Sequence, residues 1–198
     1  MHEKVHIGIV LRSYFPSKHK IILFDDELGK IQAVCTLRKF NALMHASLLW
    51  YIRKDWQTMH QITYYDLIAL PDFWVLSDIY FMHHILELSM FFLPFHKNMA
   101  TVYELFMSLY KPCRAHNISL YKKIFIYHFF SLMGVYPEEY SKYDPGLICL
   151  ISKPDDIMLN VQDNDVLQAQ LTQWIHECIK VHPQKDQFKT SNFLKYMD

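Results

Sequence analysis

Between His6 and Lys39 the chain reads HIGIVLRSYFPSKHKIILFDDELGKIQAVCTLRK, and this stretch limits the possible folds more than any other. Three short apolar runs succeed one another with a turn signal after each of the first two. His6 to Phe15 is predicted as a strand and is broken by Pro16-Ser17, because proline has no N–H to give to a ladder. Lys18 to Phe24 is a second strand. Asp25-Asp26-Glu27-Leu28-Gly29 is a turn in which acidic side chains accept local backbone hydrogen bonds and Gly29 supplies a positive φ. Lys30 to Leu37 is a third strand. Three such strands form a meander that must close into a barrel or pack in a sandwich.

Two further strands are predicted, Leu48 to Arg53 and Gln57 to Ile68, the second from its loose alternation. Five short strands within the first 72 residues suggest an OB-type barrel, with an SH3-like barrel as the alternative. Pro71 marks a change of period. From Val75 to Phe92 the apolar residues fall at helical spacing, and Pro94 ends the run. A second helix passes through Tyr103, Leu105, Phe106, Leu109 and Tyr110, with Asn98 or Thr101 as its cap. A third runs from Leu120 to Met133, with Asn117 or Ser119 as cap and Gly134 as terminator. Its run IFIYHFFSLM is apolar on most sides, so it belongs in the centre. Residues 137–162 read as a short irregular or hairpin insert. A fourth helix follows from Val166 to Val181, capped by Asp163 or Asn164, and a short terminal helix, FLKYM, follows Thr190-Ser191-Asn192. The fold class is therefore α+β: a barrel over 1–72 and a mainly helical part over 73–198.

Charge narrows the functional classes. The 198 residues carry 20 basic and 20 acidic side chains, so no global field holds the protein to nucleic acid. The balance is uneven: residues 1–70 hold nine Lys/Arg against six Asp/Glu, a net +3. Any nucleic-acid binding must come from a local patch. The four cysteines, Cys35, Cys113, Cys149 and Cys178, include no CxxC pair, which argues against a zinc ribbon. Their wide spacing and the absence of a secretory pattern in MHEKVHIGIV fit a reducing, cytoplasmic setting. The most apolar window, Ile79 to Phe95, holds His83, His84, Glu87 and Pro94 and reads as a buried helix, not a membrane span.

No catalytic motif is present: no GxSxG, no phosphate-binding glycine loop, no paired carboxylates. His83 and Glu87 stand four apart on one helix face, half of a metal site, with no third ligand indicated by spacing. No metal and no cofactor are expected. Cys35 and Cys149 lie in apolar runs, where a small buried hydrophobe is the ordinary reading. Two clusters invite function. Lys18, Lys20, Lys30, Arg38, Lys39, Arg53 and Lys54 gather at strand ends among Tyr14, Phe15, Trp50, Tyr51 and Trp56; cations for phosphates and aromatics for bases are what a single-strand groove needs. Lys122 and Lys123, ahead of Phe125, could receive an acidic peptide. On composition alone, ordinary solvated lysines over core aromatics are the favoured reading of both clusters.

The order of the pieces resembles the bacterial recombination mediator RecO. Ile9-Val10-Leu11-Arg12-Ser13, Ile22-Leu23-Phe24, Glu27 to Gly29 and Lys30 to Val34 match that family's opening strands and acidic turn in sequence. LYKKIFIYHFFSLMGVY, Leu120 to Tyr136, resembles its "LRRFELxLLxxLGY" helix, and Phe188 to Leu194 its closing "K…KSR.FL" segment. The resemblance is collinear over nearly the whole chain and has no single diagnostic motif. It implies an OB fold with a helical domain, no nucleotide hydrolysis, and a cytoplasmic, nucleoid-associated role in DNA repair and recombination. It also implies binding and annealing of single- and double-stranded DNA, and partnership with a RecR-like protein and the acidic C-terminal tail of single-strand DNA-binding protein. By that resemblance Lys30, Arg38 and Lys39 fall on the family's basic third strand and loop, and Lys123 ahead of Phe125 at its tail-binding position. Three departures stand out. Cys35 to Ala42 is less basic than the family's loop. Ile126 replaces a glutamate. Cys149 stands alone where many members carry a four-cysteine zinc module.

The expectation is a non-enzymatic RecO-like mediator. The rival is a protein-interaction scaffold of the same fold that has lost DNA binding, and the remotest alternative a metal-dependent enzyme on the His83/Glu87 face.

Overall fold

The computed structural model describes residues 4–14, 20–35, 46–53, 60–72, 78–112, 117–139, 142–143 and 165–189. Among the described residues, five strands, β1 (Lys4–Ser13), β2 (Lys20–Asp25), β3 (Gly29–Cys35), β4 (Ser47–Arg53) and β5 (His60–Ala69), precede four α-helices. The helices are α1 (Ile79–Phe92), α2 (Ala100–Met107), α3 (Ile118–Leu132) and α4 (Asp165–Lys180). The strands close into a barrel in the order β1-β2-β3-β5-β4. All neighbours are antiparallel except β3 and β5, which run parallel from Ala33↔His60 to Cys35↔Ile62. This is the five-stranded Greek-key ring of an OB-type barrel.

The alternation of β1 explains how the two halves of the chain join. His6, Gly8 and Val10 are buried, and Val10 packs with Ile21, Leu23, Ile31, Ala33, Leu48, Trp50 and Ile62 in the barrel interior. Glycine fits tightly at position 8, where a Cβ would stand 3.1 Å from the Trp50 indole nitrogen. The opposite face is divided. Val5 and Ile7 are exposed, whereas Ile9 and Leu11 are buried with Ile22 and Phe24 in a second core shared with the helices. Phe24 meets Tyr103 and Phe106 edge-on, both at 5.5 Å, a geometry aromatic quadrupoles favour. The outer face of β2, and of β1 at Ile9 and Leu11, is thus a packing surface. That is why β2 is buried at five successive positions and does not alternate.

The helices obey local rules. Asp78 caps α1 by accepting from the Phe81 N–H, so this helix begins at Ile79; the expected start at Val75 lies outside the described residues. Asn117 caps α3 by accepting from the Leu120 N–H at 3.0 Å. Asn98 bonds the Ala100 N–H but lies one residue outside the cap of α2. At the end of α3, Gly134 has φ +68 and the Val135 N–H reaches back to the Phe130 carbonyl, the wrapped closure that glycine permits. As expected, α3 is central: ten of the eleven positions from Leu120 to Phe130 are buried, all but Lys122. Most of the 137–162 insert, the caps expected at Asp163 or Asn164, and the terminal FLKYM lie outside the described residues. Among the described residues no helix is long and apolar enough to cross a membrane.

Candidate nucleic-acid interface

The expected cationic residues do not share one fate. Lys18, Arg38, Lys39 and Lys54 lie outside the described residues, and Arg53 is placed by its backbone alone, paired with Gln61 at the end of β4. Lys20 stands at the start of β2, half-buried, with its ammonium 5.2 Å from the centre of the Tyr14 ring. Arg12, which the sequence reading passed over, is exposed and brings its guanidinium to 4.8 Å from the same ring. The Tyr14 N–H donates to the Lys20 carbonyl at 3.2 Å and ties the two strand ends together. Two cations therefore flank one half-buried aromatic ring where β1 gives way to β2. Cation–π attraction holds such a group together in the unbound state.

The register explains why Arg12 was missed. The pairing of β1 with β2 slips between Val10↔Leu23 and Arg12↔Ile22, so Leu11 has no partner of its own. A bulge of this kind bends the strand and redirects the side chains that follow. Nothing in single-sequence alternation announces it.

Three placements are corrected by the structure. Lys30 was expected on a basic rim, yet it is only 3% exposed. Its ammonium donates to the Met90 carbonyl at 2.8 Å and lies 4.4 Å from the centre of the Phe95 ring. Burial lowers its pKa to about 8. Met90 is in the last turn of α1, where carbonyls lack intrahelical partners and the helix dipole favours a cation. Lys30 is therefore the cation at the end of α1. Lys123 is fully buried and its ammonium reaches Gln168 Oε1 at 3.3 Å. Phe125 is fully buried, edge-on to Phe81 and Phe106. Lys122, 12% exposed, forms an ion pair with Asp78, which caps α1. An acidic peptide meets no open surface at Lys123 or Phe125.

The other candidates resolve similarly. His83 is exposed, and Glu87 accepts from the Lys189 N–H at 2.8 Å. Cys35 and Cys178 are buried, and burial pushes the Cys178 thiol far up, away from a reactive thiolate. The one group of three metal-type ligands among the described residues is instead His6, Asp25 and Asp26, at the opposite end of β1 from Arg12. Asp25 is fully buried. It accepts from the Trp50 indole N–H at 3.1 Å and from the N–H groups of Glu27 and Leu28. Desolvation raises its pKa, and those two backbone donors and the His6 ring act against the rise. Spacing could not reveal this group. The β1–β2 register sets Gly8 opposite Asp25 and so brings His6 to the turn.

Several apolar side chains of the barrel are exposed. Val5, Ile7, Tyr64, Leu67, Ile68 and Leu70 are each more than a third exposed. The registers align Val5 with Tyr51 and Tyr51 with Tyr64, a row across β1, β4 and β5.

No protein-family model matches this chain, and comparison with curated proteins finds no match.

Proposed function

We propose that this chain is a RecO-like mediator that binds nucleic acid without performing chemistry on it, engaging single-stranded DNA first at the β1–β2 end of the barrel. The observation that carries the reading is the Arg12–Tyr14–Lys20 cluster. It joins two phosphate-seeking cations to a stacking surface, at the strand 1–2 connection of a fold that uses such connections for oligonucleotides. The outer face of β2 and of β1 at Ile9 and Leu11 is occupied by helices, and the end of these strands is the proposed place for the ligand. A role in repair, double-stranded DNA binding and annealing, a RecR-like partner and the acidic tail of single-strand DNA-binding protein draw their support from the sequence resemblance.

The test is a titration of labelled oligo-dT, followed by fluorescence anisotropy at rising salt. Affinity is expected to fall with a log–log slope of about −0.7 for each phosphate neutralised. Arg12→Glu with Lys20→Glu is expected to weaken binding at least about tenfold, the factor about 1.4 kcal/mol supplies. Lys30→Met is expected to leave it within about twofold, because the Lys30 ammonium is already committed to Met90. No binding even at low salt sinks the proposal. That outcome would favour the scaffold reading, for which the exposed apolar side chains of Val5, Ile7 and Tyr64 are the specific support.

A further inference from the structure

We propose that His6, Asp25 and Asp26 form a binding site for one divalent transition ion of the zinc class, at the mouth of the barrel where β1 meets the β2–β3 turn. One ligand atom from each residue lies within 4.8 Å of those of the other two. His6 is 5% exposed, and its Nδ1 has no hydrogen-bond partner. That nitrogen faces Asp25 Oδ1 at 3.4 Å. A charge-assisted N–H···O bond would be about 2.7–2.9 Å. By contrast, bonds of about 2.0–2.2 Å to a tetrahedral ion set neighbouring ligand atoms roughly 3.4 Å apart. The third ligand atom belongs to Asp26, whose Oδ1 is buried and likewise without a hydrogen-bond partner. These three ligands would leave the fourth position of a tetrahedral ion to water.

The surroundings suit an ion. Trp50 Nε1 donates to the other oxygen of Asp25, and the Glu27 and Leu28 N–H groups donate to Oδ1. Ligating carboxylates are characteristically held by such outer hydrogen bonds. The Asp26 N–H donates to the Ile7 carbonyl at 3.3 Å, which fixes the turn against β1. Two adjacent carboxylates and one imidazole make an N/O donor set suited to Zn²⁺, Co²⁺ or Mn²⁺. The imidazole disfavours Mg²⁺ and Ca²⁺, which take oxygen. The ion would pin β1 to the β2–β3 turn, independently of any nucleic acid.

The experiment uses the full chain, made without a histidine tag and stripped with chelator. Co²⁺ is titrated in while its visible absorption is recorded, and Zn²⁺ is then used to displace it. The expected result is one equivalent of Co²⁺ bound, displaced by Zn²⁺. Asp26→Asn, at a half-buried position, is expected to weaken binding by at least about 10–100-fold, the loss already typical of weaker, outer-shell changes. His83→Ala, on the exposed face of α1, is expected to leave affinity unchanged and so separates this site from surface histidines. Circular dichroism of Asp26→Asn checks that the barrel persists; if it does not, His6→Gln is the second variant. Failure to bind Co²⁺, or binding indifferent to Asp26→Asn and His6→Gln, overturns the proposal.

Discussion

Single residues fix how the helices meet the barrel, and Gly29 is the sharpest case. It closes the β2–β3 turn with φ +72, a conformation that side chains with a Cβ resist. A Cβ placed there would also lie 1.8 Å from the Lys97 carbonyl oxygen. Close by, the His96 N–H donates to the Lys30 carbonyl at 2.9 Å, and Phe95 bridges to Lys30. Gly29 therefore lets two backbones touch where the segment after α1 crosses β3. Gly29→Ala is expected to cost about 1–3 kcal/mol from the backbone conformation alone, with the collision adding to it. Urea unfolding is the measurement; a loss below about 0.5 kcal/mol would show that this contact does not hold the halves together. Lys30 beside it teaches the same lesson by another route. A lysine at a strand start is presumed solvated, and only the tertiary position of Met90 makes it a buried helix-end cation.

At the scale of elements, the strands were the most legible part of the chain, since alternation and turn chemistry are local. All five were found within a few residues of their bounds, and the acidic turn ends at a glycine of positive φ as its sequence demands. The third helix was equally plain, because Asn117 and Gly134 punctuate it. Asn117→Ala is expected to cost about 1 kcal/mol, the usual loss for a cap whose side chain satisfies a first-turn N–H. Denaturant midpoints of the two proteins test this, and equal midpoints would mean that packing of α3 makes the cap redundant. What local signals could not supply was the partner of each face. Buried Lys123 looks like a solvated cation until α4 brings Gln168 to it. Arg12 looks incidental until the bulge turns it toward Tyr14. His6 and Asp25 are 19 positions apart and meet only through the strand register. Part of the candidate DNA surface was thus readable as composition, but its membership was a tertiary fact.

For the whole molecule, the core shared between barrel and helices makes stability a single property of the chain, and its buried histidines make that property depend on pH. His84 in α1 is fully buried, and its pKa falls from 6.5 to about 3, through desolvation first and the nearby His176 second. The folded state keeps this imidazole neutral over a range in which the unfolded chain takes up a proton. Its contribution is therefore complete above pH 6.5 and is lost as pH falls from 6.5 toward 3. The loss approaches about 1.4 kcal/mol per pH unit once the unfolded form is charged. His60 and His182 are shifted down as well, chiefly by burial, and act in the same direction. Asp25 works the other way: its raised pKa makes the folded state the better proton acceptor above 3.8, which offsets part of the loss at the acid end. Between pH 7 and 5, where the histidines dominate, wild-type stability in chelator is expected to fall by about 2 kcal/mol. His84→Gln should flatten that dependence even if it lowers stability throughout, because it removes the group whose protonation differs between the two states. Urea unfolding at half-unit pH steps would measure both slopes. Parallel curves for the two proteins would mean that His84 is protonated alike in both states, and that the acid sensitivity of the fold originates elsewhere.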